Sequence, residues 1–147
     1  MKIIGLLAIA FLNFVSCSSN KAQQETKHYF EKITYQNWVG GVKGAGGGTI
    51  LTITLKKPVP INTEIIKIQF QNREGNITKL NDLSYQASIK TFDNESETIP
   101  TPTIKTNLKS NQAKVFLKIN SKESTIIIED VKELPMLAYP SAKPINN

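Results

Sequence analysis

The chain has one cysteine, one histidine, one tryptophan and a single arginine, Arg73. Each scarcity excludes something. A lone thiol cannot form an internal disulfide, so an exported domain of this sequence must rely on its hydrophobic core. With His28 the sole imidazole and Cys17 the sole thiol, the usual zinc donor sets cannot be assembled. A Ser-His or Cys-His pair would depend on His28, which stands before the body of the domain. Nucleic-acid readers cluster their charge and favour arginine at base edges and phosphates. Here 18 basic against 12 acidic side chains give a net charge of +6, spread lysine by lysine along the chain. That pattern argues against a nucleic-acid partner and fits solvated strand faces. No cofactor and no metal is expected, and no window of ten or more residues carries a helical stripe.

The one long apolar run lies at the N-terminus. Lys2 precedes Ile3 to Val15, 13 residues interrupted by Asn13. A membrane span needs about 20 apolar residues, so this reads as a secretory leader and is set apart from the fold. The leader ends in Phe14-Val15-Ser16-Cys17, which resembles the lipobox of bacterial lipoproteins, with phenylalanine where leucine is usual. That resemblance implies cleavage after residue 16 and acylation of Cys17, an anchorage that two or three chains make stable. A plain secreted protein with Cys17 near its cleavage site is the alternative. The mature chain, without Lys2, would carry 17 basic and 12 acidic side chains, a charge of +5. Residues 17–29 read as the lipidated cysteine and a flexible tether, 30–140 as one domain, and 141–147 as a loosely ordered tail.

Within the domain the hydrophobic period is two. Ile33, Tyr35 and Val39 alternate against Thr34, Gln36 and Trp38. Leu51, Ile53 and Leu55 share a face, as do Ile66, Ile68 and Phe70, then Tyr85, Ala87 and Ile89, then Ala113, Val115, Leu117 and Ile119. The β-branched run in "STIIIEDV" suggests a central strand. Leu134 to Tyr139 suggests a last edge strand, and Thr103 to Thr106 a short one within a long loop. Turns are expected at "KKPVPIN", "NREGN" and "KINSKEST". About seven short strands predict an antiparallel β-sandwich, immunoglobulin-like or related.

Six of the eight glycines fall between Gly40 and Gly48. A phosphate-binding loop is excluded: Lys43 follows Val42 rather than glycine, and Thr49 opens a strand instead of a helix. The dinucleotide fingerprint fails as well, since Thr49 stands where its third glycine belongs. Two readings remain. Either the glycines serve a demanding turn or bulge, or successive amides form an anion-binding nest with Lys43 adding charge. The candidate binding residues are therefore Trp38, Val42, Lys43, Gly44, Ala45, Gly46, Gly47 and Gly48. Trp38 would be either an exposed stacking platform or core. Asp93, Glu95 and Glu97 in a loop, with Glu129 and Asp130 at a strand end, are the carboxylates on which a hydrolase would have to draw.

The segment "YQNWVGGVKGAGGGT" resembles a recurring segment of small bacteroidetes-type lipoproteins. That likeness implies attachment to the envelope, with the outer membrane facing the periplasm as the expected site, and assigns no catalytic residue. The reading is a lipid-anchored, non-enzymatic module for a protein or glycan partner. A small envelope hydrolase or a purely structural lipoprotein are its alternatives.

Overall fold

The computed structural model describes residues 27–42, 45–92 and 101–139. Cys17 and the leader, Lys43, Gly44, the loop carboxylates Asp93, Glu95 and Glu97, and the tail from residue 140 lie outside the described residues. The described residues are all-β, as their period-two runs predict. The strands are β1 (Phe30–Val39), β2 (Gly47–Leu55), β3 (Thr63–Phe70), β4 (Arg73–Asn81), β5 (Ser84–Phe92), β6 (Ala113–Ile119), β7 (Lys122–Ile128) and β8 (Lys132–Ala138). They form one sheet in the order β7-β6-β3-β4-β5-β2-β1-β8. Neighbours are antiparallel except β1 and β8, which run parallel. The meander β3-β4-β5 is flanked by β2 and β6, each arriving by a longer connection in Greek-key fashion.

The sandwich expected from the sequence is realised as this single sheet curled around its core. Strand β4 makes the corner: Arg73 to Asn76 pair with β3, and Ile77 to Asn81 pair with β5. Gly75 sits at that corner, where an added Cβ would come 2.9 Å from Ile89 Cγ1. The turn expected around Gly75 therefore lies earlier, at Gln71 and Asn72, both with positive φ (46° and 59°). Curling also brings the edges together. Ile128 ends β7 at one edge and Lys132 begins β8 at the other, and four extended residues reach about 14 Å at most. Val131 in that link is buried, and its N–H donates to Asn111 O at 2.9 Å.

The alternating apolar positions meet inside. Leu51, Ile53, Ile68, Val115 and Leu117 are inaccessible to solvent, and Tyr35 of β1 reaches Phe70 of β3 with ring centroids 4.9 Å apart. A register shift between Ile65 and Lys67 puts Ile65, rather than the expected Ile66, in the core with Ile68 and Phe70, and Ile66 is half-buried. Two further expectations change. The β-branched run of "STIIIEDV" is β7, an edge strand rather than a central one, because Ile126 and Ile128 face inward while Ile127 faces out. Thr103 makes an isolated bridge to Arg73 instead of opening a strand.

Two ends of the curled sheet matter below. At the entry end, β1 begins opposite Leu55, with the 56–62 loop, the β4–β5 turn and the β6–β7 turn around it. At the glycine end, β1 leaves into the 40–46 hairpin, beside the end of β8.

Candidate functional site around Trp38

The glycine hairpin closes on itself. Gly40 N–H donates to Gly46 O at 2.9 Å, and Ala45 N–H donates to Val42 O at 3.1 Å. Gly46 has φ of 65°, a conformation that side chains resist. Gly47 and Gly48 belong to β2, with a register shift against β5 between them. The demanding turn and the bulge are both present. An anion-binding nest would have to draw on amides other than those of Gly40 and Ala45, which donate inside the hairpin.

Gly48 is where backbone meets side chain. A Cβ built there would lie 2.4 Å from Ile89 O and 2.8 Å from Trp38 Nε1. Residues 49, 51, 53 and 55 of β2 face the core, so Gly48 faces the outer surface, and Trp38, its register partner, lays its indole into the space above it. Trp38 is half-buried and outside the core cluster. It is neither the exposed platform nor the core residue that the sequence allowed: the indole lies on the outer face of the sheet, half-covered. Its Nε1 is buried and has no hydrogen-bond partner among the described residues. The indole therefore presents carbon, not its N–H, to whatever approaches.

Strand β8 completes the surface. Tyr139 stacks edge-on to Trp38, with centroids 6.1 Å apart and planes at 77°, and its N–H donates to Val39 O at 3.1 Å. Leu137 pairs in register with Trp38. Pro135 lacks an N–H, and the pairing shifts between Gln36 and Trp38; the Gln36 side chain spans the irregularity by donating Nε2–H to Pro135 O at 2.7 Å. Every residue of β8 is exposed, Met136 at 62%, as are Tyr139 just after the strand at 50% and Val42 of the hairpin at 48%. The result is an apolar and aromatic strip at the glycine end. Tyr139 was not among the sequence candidates.

Beneath it, a polar chain ties three strands. Thr49 Oγ1 donates to Asn37 Oδ1 at 2.8 Å, and Asn37 Nδ2 donates to Glu133 Oε1 at 3.3 Å. Burial, and next the Glu133 carboxylate, push the Tyr35 hydroxyl above the usual tyrosine range.

The remaining candidates disperse. The Arg73 guanidinium donates to the backbone oxygens of Thr101 and Thr91, and so pins the 101–106 segment rather than facing an anion. Ile104 N–H reinforces it by donating to Asn72 O at 2.7 Å. Glu129 and Asp130 are exposed in the β7–β8 link. Among the described residues, no three of His, Cys, Asp and Glu gather to hold a metal. An open cleft of about 400 Å³ lies between Glu74 and Lys105, and another of about 420 Å³ opens under Ile61 at the entry end. The chain matches no family model, no curated protein and no solved structure at a significant level.

Proposed function

We propose that this protein is a lipid-anchored envelope module that binds a partner without catalysing a reaction. Cys17 carries the lipid in this reading, and the strip formed by Trp38, Val42, Leu137 and Tyr139 is the binding surface. One observation carries it: a half-buried Trp38 packs against an exposed Tyr139, with Val42 and Leu137 exposed on neighbouring elements, at the end away from the N-terminal entry. Exposed apolar patches of this kind mark interaction sites. An indole face with a tyrosine at its edge suits the apolar face of a sugar ring or an apolar peptide side chain. The nearby polar groups, Gln36 and Asn37, are engaged with β8, so the chemistry offered is contact rather than acid–base work.

A photo-crosslinking amino acid at Tyr139 tests this in cells. A discrete adduct that is lost with Trp38→Ala, and not formed from Ile127 on the far edge strand, is expected. Equal, unspecific labelling from both positions would count against it.

A further inference from the structure

The entry end exposes apolar side chains of its own. Ile61 is wholly exposed, Leu80 is exposed at 54% and Leu83 at 42%. Ile61 sits at the tip of a turn closed by Thr63 N–H donating to Pro60 O at 2.8 Å, and Pro58 and Pro60 stiffen the backbone before it. Hydrogen bonds join this end into one surface: Lys56 N–H donates to Tyr29 O at 2.8 Å, and Leu55 N–H donates to Leu83 O at 2.9 Å. Lysines outnumber acids around the apolar residues, Glu64 being an exposed carboxylate in the cleft beside Ile61, with Lys118 nearby. Lys56 and Lys57 precede Ile61 in a loop that holds no acidic residue, and Lys57 lies 4.3 Å from the centre of the Tyr29 ring. Lys79 neutralises Asp82 at 2.7 Å, which leaves the β4–β5 turn without net charge of its own. Lys27 is exposed where the described chain begins.

We infer that this end, through Ile61, Leu80, Leu83 and the Lys56–Lys57 pair, docks on the surface of an anionic lipid bilayer. Two observations choose the bilayer as occupant. Apolar tips rimmed by lysine match a headgroup layer with anionic lipid, where attachment grows with apolar insertion and with charge attraction together. The chain also enters the domain here: ten residue steps separate Cys17 from Lys27, a reach of about 36 Å at most. The inference rests on the proposed anchorage at Cys17, and it turns the Trp38 surface away from the membrane.

Residues 17–147 retain every core residue, since the core runs from Phe30 to Val131, so this chain serves as the test protein. Its single thiol couples to a maleimide lipid, which supplies the anchor whatever the cell does at Cys17. With brominated phosphatidylglycerol in the vesicles, the native Trp38 emission is expected to stay unquenched. Trp38→Phe combined with Ile61→Trp is expected to be quenched several-fold. Hydrogen exchange on the unsubstituted chain guards against attraction by the added indole: slowing in residues 56–62 and 79–84, lost in Lys56→Glu with Lys57→Glu, is expected. Unquenched Ile61→Trp, quenched Trp38, or equal effects on phosphatidylcholine vesicles would overturn the inference. Acylation at Cys17 is read separately from the mass of the protein extracted from membranes, so failure of the anchor and failure of the docking surface are distinct results.

Discussion

Replacing Gly48 by alanine should destabilise the protein, although general strand preference says the opposite. Glycine inside a strand costs about 0.5–1 kcal/mol relative to alanine, so an unobstructed Gly48→Ala would stabilise by that amount. Here the new methyl would meet Ile89 O at 2.4 Å and the indole at 2.8 Å. The carbonyl is backbone of β5, paired with β2 on that side, and cannot withdraw without disturbing the pairing of Gly48 with Lys90. Overpacking of this kind costs about 1–3 kcal/mol. The net expectation is a loss of up to about 2.5 kcal/mol, or as much as roughly 10 °C in Tm for a domain of this size. Urea unfolding of residues 18–147 reads it as a lower midpoint at unchanged slope. A second arm separates the two obstacles. In a Trp38→Ala background most of the penalty should persist, because the nearer obstacle is the carbonyl, and the coupling between the sites should stay below about 1 kcal/mol. A rise in stability on Gly48→Ala, or complete relief in the Trp38→Ala background, would refute the reasoning.

Three further outcomes are expected. Burial opposes ionisation of Glu74, but hydrogen bonds from Gln69 at 2.9 Å and Lys67 at 3.0 Å, with the Lys67 charge, outweigh it and hold the carboxyl below its usual range. A depressed folded-state pKa contributes stability that is present above the unfolded value of about 4.3 and is lost as pH falls through the folded one. Glu74→Gln should therefore flatten the acid limb of stability against pH, by no more than about 1 kcal/mol for a pair this exposed, as measured by urea titration at stepped pH. Leu51→Ala, at a position with no solvent exposure, should cost about 2–5 kcal/mol in the same assay. Cys17→Ala should move the protein out of the membrane fraction, and unchanged fractionation would remove the anchor from the account.

Much of the fold was legible because its strands bury one face each. Leu51, Ile53 and Leu55, or Ala113, Val115 and Leu117, declare by spacing which side is core. What periodicity cannot carry is neighbourhood. The run of "STIIIEDV" is apolar on both faces, yet it ends at an edge, because β7 pairs only with β6 in a local hairpin while the long-range pairing with β3 takes the other side of β6. Gly75 looked like a turn because glycine serves turns and close approaches alike; the turn fell to Gln71 and Asn72, and of these only asparagine is a residue type that favours positive φ. In the candidate site, Trp38 and the glycines were visible as residues with unusual demands. Tyr139 was not, because it reaches Trp38 through a parallel pairing of the first strand with the last, about a hundred residues apart. The signal available was the apolar character of Leu134, Met136, Leu137 and Tyr139, which marks an edge strand without naming its partner.

The central claim is that the Trp38–Tyr139 surface binds, and an NMR titration of isotopically labelled residues 18–147 addresses it directly. The additions are envelope glycans, muropeptides and extended apolar peptides, each in turn, with Trp38→Ala as the reference. Saturable shifts at the Trp38 indole, the amides of Leu137 and Tyr139 and the described part of the 40–48 segment, absent from the reference, are the predicted result. Saturable shifts centred on any other surface, unchanged by Trp38→Ala, would contradict it.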